Sequence, residues 1–183
     1  MCLLLTAVLF AQGKRTTDEG TEVYETNVSF RDFSWGTSFE DFSKRMGNPV
    51  AQEENNGLRS LVYENIEVLG FPTYMVVYFS ENGLEGGTYY FLTYNLDELM
   101  GCYNAVRQDL RSRYGPTYLF DGIIREMRPY ECSWKLPGGY VYLKVNTRIS
   151  NDPVTLWCSS PSLTKRLLGI DLADDKTYTA QSN

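Results

Sequence analysis

Two stretches of the chain space their apolar residues for a helix, and both stop in the same way. In GTSFEDFSKRMGNP, Phe39, Phe42 and Met46 fall at i, i+3 and i+7, a single apolar stripe. Thr37 is the expected N-cap with Glu40 three residues on, a pairing that satisfies backbone donors otherwise orphaned at a helix start, so the helix is predicted to begin near Ser38. Gly47 supplies the left-handed residue beyond the helix end, and Pro49 forbids continuation. In the second stretch Asn95 caps, Glu98 sits three further on, and Leu99, Tyr103, Val106, Leu110 and Tyr114 recur close to every 3.6 residues before Gly115 and Pro116 close it. The closing glycines stand 115 − 47 = 68 residues apart.

After each helix the period changes to two. PYECSWKL alternates, with Tyr130, Cys132, Trp134 and Leu136 on one face and Glu131, Ser133 and Lys135 on the other. PGG at 137–139 turns the chain, YVYLKVNT follows, and after the polar RISND comes PVTLWCSS, a three-stranded meander. In the first half RSLVYEN leads through IEVLGFP to YMVVYFS, and the hairpin signal ENG opens the strand TYYFLTY. The expected fold class is therefore α+β: two α-βββ repeats forming an antiparallel sheet backed by helices on one face. One helix over three strands buries too little surface to stand alone comfortably, whereas two such units side by side share a core. The divisions are an N-terminal segment 1–12, a linker or extension 13–32, repeat one over 33–94, repeat two over 95–160, and a C-terminal segment with a polar tail over 161–183.

Across residues 33–159 the element order, together with WGTSFEDFSKRMGNP and LRSRYGPT, resembles the β-lactamase-inhibitor-protein type of tandem α-plus-β-meander repeat, half of which is similar to the small outer-membrane assembly lipoproteins. The resemblance implies a non-enzymatic protein of the bacterial exterior that grips another protein on the open face of its sheet. It carries over no binding residue, and Cys2 does not stand at the end of the apolar run, where the lipoprotein branch has its acylated cysteine.

Leu3 to Ala11 is an apolar run of roughly secretory length with a small residue at a cut site after Ala11, although no positive region precedes it. Residues 1–12 are thus expected to be a signal peptide and the mature chain to be periplasmic or secreted; the other reading is a buried N-terminal strand. The run is too short to span a bilayer. A net charge of −6, with no basic run longer than two residues, argues against a nucleic-acid partner. The absence of histidine and of any CxxC pair removes the ligand supply for a familiar zinc site, and no metal or other cofactor is expected.

Without histidine, acid–base chemistry falls to carboxylates or a shifted lysine. Glu53 and Glu54 sit in QEENNG, read as a polar loop, and Asp174 and Asp175 in the tail, so neither pair forms a constellation. The cysteines are expected to serve packing. Cys132 and Cys158 point into the core on strands separated by a third, about 9.5 Å apart at two strand spacings, beyond the ~7 Å reach of a disulfide; Cys102 stays open.

If Val141, Leu143 and Val145 face the core, Tyr140, Tyr142 and Lys144 face away, as do Thr155 and Trp157. With Met75, Val77 and Phe79 inward, Tyr74, Val76 and Tyr78 point outward. The helix-free side would then gather Tyr74, Tyr78, Tyr140, Tyr142 and Trp157. Such a patch marks an interface for a protein or a glycan unless EVYETNVSFRDFSW or LTKRLLGIDL folds over it. The leading expectation is a non-catalytic binding module. The alternative is a carboxylate-dependent hydrolase with a cleft between the repeats, lined by two acids of unlike environment. A structural envelope subunit fits the sequence equally well.

Overall fold

A computed structural model describes residues 15–16, 22–116, 130–145 and 154–172. The expected signal segment 1–12 and the pair Asp174–Asp175 lie outside the described residues. Arg15–Thr16 (β1) and Glu22–Val23 (β2) form a two-residue antiparallel ladder within the stretch read as a linker.

Helix α1 spans Phe39–Met46 and α2 spans Leu96–Tyr114. The α1 cap is Ser38, whose side chain accepts from Asp41 N, and not Thr37, whose hydroxyl instead donates to Ser34 O at 2.7 Å. Asn95 caps α2 as expected, accepting from Glu98 N at 2.9 Å, while Glu98 reaches back to Tyr94 N. Every α2 stripe residue is buried, and Cys102 joins them. At roughly 1.5–3 kcal/mol per large apolar side chain removed from water, that stripe outweighs the ~1 kcal/mol of a cap. Packing therefore holds α2, and capping sets its ends.

Seven strands follow: β3 (Ala51–Asn55), β4 (Leu58–Val68), β5 (Phe71–Ser80), β6 (Gly83–Phe91), β7 (Tyr130–Leu136), β8 (Gly139–Val145) and β9 (Val154–Ser159), in spatial order β3-β4-β5-β6-β9-β8-β7. All pairings are antiparallel. The meander of the second half is present in sequential order. The first half differs from expectation in two ways. QEENNG is not a loop: Glu53 and Glu54 lie in the edge strand β3, opposite Ser60 and Arg59, and the Asn56–Gly57 turn has positive φ at both positions. RSLVYEN and IEV are one long strand, β4, with a register shift between Tyr63 and Ile66.

Because directly paired residues share a face, the registers trace rows across the whole sheet. Leu61, Val77, Gly87, Cys158, Val141 and Trp134 form one row, and Tyr63, Met75, Tyr89, Leu156, Leu143 and Cys132 the next. Both helices pack on this face. Phe42 of α1 meets Phe79 and Tyr63, while Tyr103 of α2 donates its hydroxyl to Cys132 Sγ at 3.8 Å. Cys132 and Cys158 lie two strands and one row apart, and the buried thiols of Cys102, Cys132 and Cys158 are free.

Residues 24–33 are a packed extension. Glu25 N donates to Arg113 O and Gly138 N to Thr26 O, while Val28, Phe30 and Phe33 enter the core. Phe30 stacks on Tyr89 at 4.6 Å over Gly87, where a Cβ would stand only 2.3 Å from Phe30 Cζ. The third helix, α3 (Pro161–Leu168), corrects the expectation of helices on one face only. Its Leu163 lies against Gly86, and its Thr164 hydroxyl bonds that of Ser159 at 2.8 Å; both glycine and serine belong to the face opposite α1 and α2.

Replacing Gly87 by alanine drives a methyl into the Phe30 ring. The expected loss is about 1–3 kcal/mol, read as a lower urea midpoint with unchanged m-value; an unchanged midpoint would show that Phe30 does not occupy this position.

Candidate functional site

The face turned away from α1 and α2 holds the residues singled out from the sequence. Val62, Val76, Thr88, Trp157, Tyr142 and Ser133 form one row; Tyr74, Tyr90, Thr155, Lys144 and Glu131 form the next, and Tyr78 and Tyr140 share the row of Gly86 and Ser159. All five expected residues, Tyr74, Tyr78, Tyr140, Tyr142 and Trp157, are therefore brought to one face. Tyr74, Tyr78, Tyr142 and Trp157 are half-buried. Tyr140 points the expected way but is 8% exposed, shielded by Tyr142 at 6.4 Å and Trp157 at 5.8 Å, so it supports the face and offers little surface itself.

Tyr90 was not singled out, although strand parity gives its direction once Tyr89 and Phe91 are placed in the core. It is directly opposite Tyr74, with ring centroids 4.6 Å apart and planes within 8°. That separation matches the ~4.7–4.9 Å between strands. The two rings therefore stack on each other across the β5–β6 pairing, and the Tyr90 hydroxyl turns back toward those of Thr88 and Tyr78. Tyr78 adds a hydroxyl contact to Thr88 Oγ1 at 3.4 Å. Burial among neighbouring rings is the first cause raising the phenol pKa values of Tyr74, Tyr90, Tyr140 and Tyr142, with Glu131 beside Tyr142 adding to the last.

Of the two segments expected as possible covers, the N-terminal one lies on the helix side, and the C-terminal one contributes α3 at one end of the aromatic face. A register irregularity explains how α3 is held. Gly86 pairs with Tyr78 and Leu84 with Phe79, leaving Glu85 as the extra residue of a bulge. Glu85 is 7% exposed. Its Oε1 accepts from Ser80 Oγ at 3.0 Å, its Oε2 from Ser160 Oγ, and its backbone oxygen from Ser160 N at 2.7 Å. Ser160 is also the N-cap of α3, accepting from Leu163 N. Arg166 donates to Asn56 O, tying α3 to the β3–β4 turn.

Beside this latch opens a polar cleft of about 760 Å³, bounded by the start of α1, the two hairpin tips and α3. Its acids differ in environment, Glu85 buried and Glu40, Glu54 and Glu81 exposed. It lies at the hairpin end of the first half, not between the halves. Among the described residues no group of three or more His, Cys, Asp or Glu is arranged to hold a metal. No helix among them is long and apolar enough to cross a membrane.

No protein-family model matches the chain, and no curated protein matches it. Among solved structures, a DUF4309 family protein, YjgB, from Bacillus subtilis subsp. subtilis str. 168 aligns at a TM-score of 0.42 with 10% identity, over 70% of this chain and 81% of that chain. That likeness is too slight to bear on fold or function.

Two outcomes follow from this geometry. Glu85→Ala removes the acceptor of two serine hydroxyls, the buried one of Ser160 and the half-buried one of Ser80, an expected loss of about 1–3 kcal/mol. It should also make Lys165 and Arg166 cut faster by trypsin; unchanged cleavage would show that Glu85 does not hold α3. Because the face phenols ionise later folded than unfolded, the unfolded chain binds fewer protons above its phenol pKa of about 10. Stability present below that pH is lost as pH rises through it, so urea midpoints should fall between pH 9.5 and 11, and a flat profile would contradict the burial of these rings.

Proposed function

We propose that this chain is a non-catalytic, exported binding module of the bacterial envelope that grips another protein on the aromatic sheet face. The observation that carries the reading is the stacking of Tyr74 on Tyr90. Sugar rings are held by stacking on exposed aromatic faces, but these two rings spend a face on each other. For a protein partner, by contrast, half-buried Tyr and Trp side chains give large contact area at low ordering cost.

We also infer that the scaffold is two α-βββ units, after the manner of the β-lactamase-inhibitor-protein type. Three parallels support this. Gly47 ends α1 at φ 80°, ψ −164°, and Gly115 ends α2 at φ 82°, ψ −165°, a region essentially reserved for glycine. In each half the carbonyl of that glycine accepts from an aromatic side chain of the first strand of the matching three, Tyr63 Oη on β4 at 3.4 Å and Trp134 Nε1 on β7 at 2.9 Å. The strand order reads β4-β5-β6 against β9-β8-β7, so the last strands of the two units meet, as an approximate two-fold axis requires.

The cleft favours a second reading, a carboxylate-dependent hydrolase, because it pairs a buried acid with exposed ones. Against it, both Glu85 oxygens are already engaged by serine hydroxyls in latching α3.

The test is capture from a native envelope fraction by the wild-type chain and by a Tyr142→Ser, Trp157→Ser double variant. The expected result is a protein retained by the first and lost by the second, with cooperative unfolding preserved in both. A variant that no longer folds makes the face structural and overturns the reading, as would retention of a polysaccharide by both. Recovery of the chain from its native source with Met1 intact would remove the export element.

A further inference from the structure

On the helix side of the sheet, away from the aromatic face, two buried hydrogen-bond donors share one small cavity. The two-residue turn Arg31–Asp32, with φ of 52° and 63°, closes the bridge between Phe30 and Phe33 and sits beside β6 and α2. Between them is a space of about 20 Å³, lined by Arg31, Asp32, Tyr89, Asp109 and Arg113 with an apolar wall that includes Val106. Tyr89, 2% exposed, and Arg31 both line this space, and the buried Tyr89 hydroxyl and Arg31 Nη1 have no protein partner. A buried polar atom left unmade costs about 1–3 kcal/mol, so a fold that tolerates two beside one cavity has a partner for them there.

The chemistry of that partner is constrained on three sides. Arg31 Nη1 can only donate and Tyr89 Oη can donate or accept, so the group between them must accept at least once and can accept twice. About 10–15 Å³ of such volume is needed for one water, so 20 Å³ suits a single small molecule and excludes an oxyanion. The lining charges balance, Arg31 and Arg113 against Asp32 and Asp109, so nothing draws in a net anion. A water satisfies all three, accepting from Tyr89 and Arg31 and keeping two protons to donate. The Asp109 carboxyl, raised above its ordinary pKa chiefly by burial, belongs to the same lining. We propose that this cavity is a built site for one structural water, accepting hydrogen bonds from Tyr89 Oη and Arg31 Nη1 and fastening the N-terminal extension to the sheet.

The site is tested by crystal structures of the chain grown with chloride and in chloride-free acetate, alongside thermal unfolding of Tyr89→Phe. The proposal expects one solvent peak within hydrogen-bonding distance of both donors in each crystal form. It also expects the variant's midpoint to drop by roughly 2–4 °C, the effect of about one hydrogen bond in a chain of this size. A missing peak, or one present only with chloride, overturns it. So does a variant midpoint that stays level or rises, because an orphan hydroxyl is better removed than kept.

Discussion

Everything in this molecule hangs on the pairing of β6 with β9. It is the one seam where the first half of the sheet meets the second, and its register sets Gly87 opposite Cys158 and Gly86 opposite Ser159. A slip of one residue would turn the second half inside out, sending Cys132, Trp134 and Leu143 to solvent and Tyr142 and Trp157 into the core. Two adjacent glycines guard the seam. Side chains at neighbouring strand positions point to opposite faces, so Gly86 and Gly87 leave a hollow on each side of β6. Leu163 of α3 enters one and Phe30 the other. The N-terminal extension and the C-terminal helix, far apart in sequence, thus press on the same two residues from opposite sides.

The parts legible in the sequence were those whose side chains commit to one side. The stripe of α2, the alternation of β5, β7, β8 and β9, and the consequent facing of Tyr74, Tyr78, Tyr142 and Trp157 needed only periodicity. The parts missed were held by backbone pairing or by single polar contacts. All five residues of β3 are exposed, so it has no burial period; its signal was the Asn56–Gly57 dipeptide, a hairpin turn that the polar run around it disguised. For α3 the signal was Ser160 followed by Pro161, a cap and a first-turn proline, with too few apolar residues behind them to form a stripe. Thr37 and Ser38 are both competent caps, and only the contact of Thr37 with Ser34 decides between them.

The latch formed by Glu85 is of another kind. A glutamate in a run of strand residues reads as solvent-facing or as out of place. Here a bulge adds the one extra residue that lets the carboxylate meet Ser80 and Ser160 while its neighbours keep their ladder bonds. Burial of a carboxyl group so deep is tolerable because serine hydroxyls meet both oxygens and the backbone oxygen is also engaged. Sequence patterning carries no trace of such an arrangement, since the bulge and both serines are recognisable only together.

The two borders of the sheet are unlike in chemistry. β7 carries Cys132, Trp134 and Leu136 into the core, whereas β3, the opposite border, displays Gln52, Glu53, Glu54 and Asn55 to water. Should two copies approach through β3, their acids would be brought side by side just where new backbone bonds were forming. That repulsion acts as a gatekeeper against fibre growth from a long and otherwise receptive ribbon, and it is strongest in dilute salt, where charge is least screened.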